Sequence, residues 1–185
     1  MIVAPGRSLL VLLMVLAVPT AGAVEIDHLE VDSRGSHYVI DMAFHVAAPA
    51  PKVVALLTDF GYPDRLNPDI TGKEVLFERD GVTRVRTEFE GCVLFFCKAT
   101  AMTQDVRVEG REIRADTVPD GGDFESGQLL WHVFDDPEGG ARVEFRATIK
   151  HGSFVLPFIG GFFVRKRLRQ QLLTTAENLE IEASR

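Results

Sequence analysis

A chain of 185 residues with 27 acidic and 20 basic side chains carries a formal net charge of −7. That balance excludes a general nucleic-acid binder, whose affinity rests on neutralising phosphates. The length suits one ordinary domain with a substantial core. The aromatic content is skewed, with 13 Phe against one Trp and two Tyr. Phe supplies apolar area without a hydrogen-bonding handle, which favours a greasy interior or a cavity.

The chain opens with Arg7, an apolar run from Leu9 to Val18, the break Pro19-Thr20 and the small-x-small triplet Ala21-Gly22-Ala23. A charged start, a short apolar run and an A-x-A end predict a secretory signal peptide over residues 1–23, cleaved after Ala23. A run of about ten residues is too short to span a bilayer, which needs about twenty. The alternative is that the stretch stays on as an uncleaved anchor. No cysteine follows the run, which argues against a lipidated lipoprotein. The expectation is one domain over residues 24–185 in the periplasm or outside the cell. Loss of Arg7 leaves it 19 basic against 27 acidic residues, a net −8.

Val24 to Val31 alternates weakly and runs into the turn signal Ser33-Arg34-Gly35-Ser36. Tyr38, Ile40, Met42, Phe44 and Val46 then alternate with other residues at a period of two, predicting a strand with one buried face. Pro49 and Pro51 end it and suit a helix start. Val53, Leu56, Leu57 and Phe60 line one side of the helix expected over Lys52–Phe60. Gly61, Pro63 and Pro68 leave room for one further short helix at most. Strands follow at Glu74–Glu78 and Thr83–Phe89, joined by Arg79-Asp80-Gly81, in which Asp-Gly is a strong hairpin signal. Further strands are expected at Phe95–Val108, Glu112–Val118, Phe124–Phe134 and Ala141–His151. After Pro157, Val164, Leu168, Leu172, Thr175, Ala176 and Leu179 share one helical stripe, predicting an amphipathic helix of roughly twenty residues. The fold class expected is α+β: a curved antiparallel sheet of about seven strands gripping a long C-terminal helix, with two short helices after the first strand.

Cys92 and Cys97 both fall in the exported part, where neighbouring cysteines pair. Five residues apart in one straight strand they would point to opposite faces. A bridge therefore needs a turn, and a hairpin with Val93-Leu94-Phe95-Phe96 at its tip provides one. That register sets Phe89 across from Thr100, Thr87 from Met102 and Arg84 from Asp105. An apolar tip at a cavity mouth or a lipid surface is the alternative to a plain structural staple.

The element order and several motifs resemble the START-like helix-grip (SRPBCC) superfamily, in particular secreted bacterial members of its polyketide cyclase/dehydrase and coenzyme Q-binding branch. The residues carrying the resemblance are Ala48 to Phe60, Arg65-Leu66-Asn67-Pro68, Cys92 to Cys97, Asp123-Phe124 with Gly127 and Trp131, and Leu156 to Gly161. The resemblance spans about Val24 to Glu182. It implies a cavity between sheet and long helix, and an apolar ligand for many members, with cyclases or hydrolases as a minority. Fold alone does not settle which.

On that architecture the inward candidates for ligand binding are Phe44, Val85, Thr87, Phe89, Met102 and Ala115. Trp131, Phe145, Ala147, Ile149, Phe162 and Leu168 complete the set. The first expectation is periplasmic binding or transport of a hydrophobic small molecule or lipid. The second is a cyclase or dehydratase acting on a polyketide-like substrate, for which the inward series offers only Thr87 and His151 as polar groups. The third is an envelope interaction protein with a filled core. Phe162 and Phe163 followed by Arg165, Lys166, Arg167 and Arg169 could also make a transient contact with an anionic membrane surface. The histidines His28, His37, His45, His132 and His151 lack metal-ligand spacing, so no metal and no cofactor are expected. Asp59, Arg65 and Asn67 read mainly as capping and turn residues.

Overall fold

The computed structural model describes residues 24–93, 96–152 and 160–185. The expected signal peptide, the hairpin-tip residues Leu94-Phe95 and residues 153–159, which hold most of the Leu156–Gly161 motif, lie outside the described residues.

Eight antiparallel strands form one sheet: β1 (Glu25–Arg34), β2 (His37–Val46), β3 (Ile70–Arg79), β4 (Val82–Val93), β5 (Phe96–Glu109), β6 (Glu112–Thr117), β7 (Phe124–Asp135) and β8 (Ala141–His151). Their spatial order is β1-β2-β8-β7-β6-β5-β4-β3. The chain crosses from β2 to the far edge through α1 (Ala50–Leu57) and a single 3-10 turn, Pro63–Arg65. The long helix α2 (Gly160–Ala183) packs on β1, β2 and α1 and reaches β4. This is an α+β helix-grip architecture.

Two expectations need correction. The sheet has eight strands rather than about seven, because Glu25–Arg34 pairs along β2 as an edge strand. Its alternation is weak because a register shift between Ile26 and His28 breaks the phase and only Leu29 is fully buried. One short helix, not two, lies between the strands, and it follows the second strand. That helix ends at its C-cap Thr58, and Pro63 and Pro68 leave room only for the 3-10 turn.

Elsewhere pattern and structure agree. Tyr38, Ile40, Met42, Phe44 and Val46 are all buried. Asp80 and Gly81 both take positive φ, 53° and 73°, the type I′ geometry that matches the twist of flanking strands. The β4–β5 hairpin has the expected register: Phe89 faces Thr100, Thr87 faces Met102, and Cys92 faces Cys97, to which it is disulfide-bonded. Arg84 Nε and Nη2 donate to the two carboxylate oxygens of Asp105 at 2.6 and 2.8 Å.

The main core gathers β1, β2, β8, α1 and the C-terminal half of α2, with Phe44, Met42, Val53 and Leu179 among its fully buried side chains. Polar bonds fix α2 over the sheet. Glu180 is buried and accepts from the backbone N–H of Ala47 at 2.7 Å. Arg167 donates to both oxygens of Asp69 at 2.7 and 2.5 Å, and Asn178 Nδ2 donates to Leu66 O at 3.2 Å. The helix is thereby tied to the segment that leads into β3.

Candidate functional site

A second, smaller apolar cluster of Val85, Val106, Ile113 and Ala115 joins the main core through Val54, Leu57, Leu129 and Trp131. Between it and the helices the protein keeps a cavity of about 230 Å³.

The sheet supplies the floor. Val85, Thr87 and Phe89 come from β4, Met102, Gln104 and Val106 from β5, and Ile113 and Ala115 from β6. Leu129 and Trp131 of β7 and Phe145 of β8 complete it, with Trp131 and Phe145 stacked at 4.1 Å between ring centroids. These residues share the inner face because paired residues of antiparallel strands project to the same side. The roof is Leu172 and Thr175 of α2 together with Leu56 and Leu57 of α1. Beyond α1, Asp59, Phe60, Tyr62, Leu66 and Asn67 close one end, and the exposed Asp59 and Tyr62 mark the mouth.

Local bonds hold this rim in shape. Asp59 Oδ1 accepts from the N–H of Gly61, and Asn67 Oδ1 from that of Asp69, each at 3.0 Å. The Arg65 guanidinium covers the Tyr62 ring at 3.9 Å. These are the turn-bonding roles expected of Asp59 and Asn67, and both side chains also face the cavity. Polar groups are few. Lys73 of β3 reaches in near the Phe60 ring, at 5.4 Å. Burial pushes its ammonium below the ordinary lysine range, and the charge of Asp59 offsets part of that shift.

Of the twelve residues expected to face a ligand, seven line the cavity: Val85, Thr87, Phe89, Met102, Ala115, Trp131 and Phe145. Phe44 and Ala147 sit instead in the main core, 1% and 4% exposed, and Ile149 packs against that core. They lie on the inner face, but over the part of the sheet that α1 and α2 cover directly. Leu168 is half-buried on α2 away from the cavity, and Phe162, 65% exposed, projects from the first turn of α2. His151 stacks on Phe124, with ring centroids 5.0 Å apart, and does not line the cavity. The expected set left out the helix and rim residues of the lining, Val106, Ile113 and Leu129 of the floor, and two polar groups, Lys73 and Gln104. Gln104 lies in phase with Met102 and Val106 on an expected strand, so its inward direction was readable. Lys73 precedes the Glu74–Glu78 segment and gave no such signal.

Among the described residues, no group of three or more His, Cys, Asp and Glu side chains could hold a metal ion. A part-buried histidine pairing lies elsewhere, on the outer face. There His45 Nδ1 meets Asp136 Oδ2 at 2.5 Å and its Nε2 meets Asp27 Oδ1 at 3.1 Å.

An eight-stranded helix-grip sheet folded over an apolar cavity defines a class of small-ligand-binding and ligand-converting proteins. Residues 37–180 match the model of the polyketide cyclase/dehydrase and lipid transport family, and the chain belongs to that family. Among solved structures it is similar to TTHA0849 from Thermus thermophilus, at 18% identity, 79% of this chain, 97% of that one and a TM-score of 0.65. The Zhui aromatase/cyclase from Streptomyces sp. R1128 is similar at 17% identity, 80% and 94% coverage and a TM-score of 0.66. A STAR-related lipid transfer protein from Xanthomonas axonopodis is similar at 14% identity, 86% and 100% coverage and a TM-score of 0.62. At these identities the likeness is one of fold. No curated protein matches the chain in sequence.

Proposed function

We propose that this protein binds a hydrophobic small molecule, or the apolar part of a lipid, in the cavity between β4–β8, α1 and α2, and carries it within the bacterial envelope. The observation that carries this reading is the void itself. About 230 Å³ lined mainly by aliphatic and aromatic side chains is kept open where larger side chains could have filled it. Burial of a ligand's apolar surface there supplies affinity at about 25 cal/mol per Å², before ordering costs. The volume lies below the usual 300–1,000 Å³ of drug-sized sites, so a small ligand, or one segment of a longer one leaving through the mouth, fits best.

An extracytoplasmic location is part of the proposal. It rests on the signal-like residues 1–23 and is consistent with the disulfide between Cys92 and Cys97. The cysteine pair, Asp123-Phe124 and the Leu156–Gly161 motif favour a secreted subgroup of the polyketide cyclase/dehydrase and coenzyme Q-binding branch. The exposed Phe162, beside Arg165, Lys166 and Arg169, suits transient docking on an anionic lipid surface during loading.

Cyclase or dehydratase activity is the second reading, favoured by one observation: Lys73 and Asp59 place an amine and a carboxylate on the cavity wall. A filled-core interaction protein fits less well, since the void has no role in it. Mass spectrometry of organic extracts from protein isolated natively from a Gram-negative envelope tests the binding reading. An apolar species enriched over a mock purification is expected. Turnover of a polyketide-like substrate by wild type, abolished by Lys73→Met, would move the assignment to the enzyme reading.

A further inference from the structure

Gln104 is a feature of the cavity wall that a purely apolar ligand leaves unexplained. It is 8% exposed, lines the cavity, and its Nε2 is buried with no hydrogen-bond partner. A buried amide donor left unpaired destabilises a fold, and such groups ordinarily find an acceptor. Its surroundings offer little. Across the ladder it faces Val85 on β4 and Thr117 on the other flank, and along β5 its inward neighbours are Met102 and Val106. The Thr117 hydroxyl is directed at Met102 Sδ, 3.5 Å away. No described group accepts from Gln104 Nε2, so an acceptor on a molecule occupying the cavity would complete the amide.

A second donor stands on the same wall. Lys73 pairs with Thr87, which pairs with Met102, and the adjacent row runs Val75, Val85, Gln104. Lys73 and Gln104 thus project from the same face of the sheet, with β4 between their strands and one same-face row separating them. Lys73 carries a positive charge, but Asp59 faces the same space and balances it. A neutral oxygen is the complement of such a set, because a carboxylate would meet Asp59 at the mouth. Resting on the binding reading above, we infer that the ligand is an apolar molecule carrying a neutral acceptor oxygen, a carbonyl oxygen in particular, to which Gln104 Nε2 and Lys73 Nζ donate. A cavity of about 150 Å³ holds one benzene ring, so about 230 Å³ suits a body of one to two rings.

The test uses two matched bicyclic probes, 1-tetralone and tetralin, which differ by one carbonyl oxygen, titrated calorimetrically into wild type, Gln104→Leu and Lys73→Met. Gln104→Leu should weaken 1-tetralone about tenfold while leaving tetralin within about twofold, the signature of one lost hydrogen bond. Lys73→Met should act in the same direction. Gln104→Met, which keeps the side-chain length, should reproduce the result if Leu disturbs the fold. Equal changes for both probes would overturn the inference and leave the cavity reading standing, since Gln104 would then only pack or hold a water. A 2-naphthoate that binds more tightly than 1-tetralone would overturn the neutral-acceptor assignment. Failure of wild type to bind either probe would remove the cavity reading and this inference with it.

Discussion

Filling the cavity and overfilling the core are distinguishable with two alanines on the inner face of the sheet. Ala115 lies on the cavity wall, 7% exposed; Ala147 lies in the main core, 4% exposed, with Ile40 and Leu129 across the ladder on either side. Both become Phe. A benzene-sized ring takes up about 150 Å³ of cavity, roughly two thirds of the 230 Å³ present beside Ala115. Because the pocket opens to solvent at its mouth, the gain is that of burying the added ring, about 1.5–3 kcal/mol at most. Imperfect rotamers reduce the gain, so Ala115→Phe should be neutral or stabilising by about 1–2 kcal/mol. Ala147→Phe has no void to enter and should cost about 1–3 kcal/mol or more. Urea unfolding with the disulfide intact reads the difference directly. A change of 1 kcal/mol moves the melting temperature of a chain this long by about 2–4 °C. Ala115→Phe should also abolish binding of tetralin. Equal destabilisation by both substitutions would refute the reasoning, because it would mean that the space beside Ala115 is as tightly packed as the core.

Other perturbations have equally definite outcomes. Reducing the Cys92–Cys97 bridge, which closes a very short loop, should cost about 2 kcal/mol without unfolding the domain, measured by urea titration with and without reductant. The secreted protein recovered from a Gram-negative host should begin at Val24 by N-terminal sequencing, and an intact Met1 on membrane-bound protein would contradict export with cleavage. At His45, burial alone would push the imidazole down, but the bond to Asp136 and the charges of Asp27 and Asp136 outweigh it and the net shift is upward. The stability from this clamp is therefore fully present below the ordinary histidine range, near 6.5, and is lost as pH rises through the elevated folded value. Asp27 and Asp136 are both held below the usual carboxylate range, so their contribution disappears only as pH falls through their lowered values. The stability gap between wild type and His45→Gln should be larger at pH 5.5 than at pH 8.5, and a constant gap would contradict the clamp.

How far the sequence discloses this molecule depends on how local each signal is. The Asp80-Gly81 turn and the Cys92–Cys97 hairpin are legible because turn chemistry and cross-strand matching, such as Arg84 with Asp105, are decided within a few residues. The inward faces of β4 to β8 follow from a period of two. What periodicity does not reveal is where along an inward face the helices press down and where they stand off. Phe145 and Ala147 are two residues apart on one strand and both belong to the main core, yet only Phe145 also reaches the cavity wall. That division is set by the placement of α1 and α2, held by long-range bonds such as Arg167 to Asp69 and Glu180 to the backbone of Ala47. The edge strand β1 was faint for a different reason: a bulge breaks its alternation and most of its side chains meet solvent. Phe162 follows the helical stripe poorly and is exposed at the start of α2.

Trp131 gives the most direct measurement of the central claim. It is the single tryptophan of the chain and stands on the cavity wall, 4.1 Å from the Phe145 ring. Its fluorescence therefore reports on the cavity wall and the core it packs against. A ligand-binding cavity predicts a saturable spectral change when folded wild type is titrated with tetralin, absent in Ala115→Phe. No change up to the solubility limit of tetralin, with the protein demonstrably folded, would contradict it.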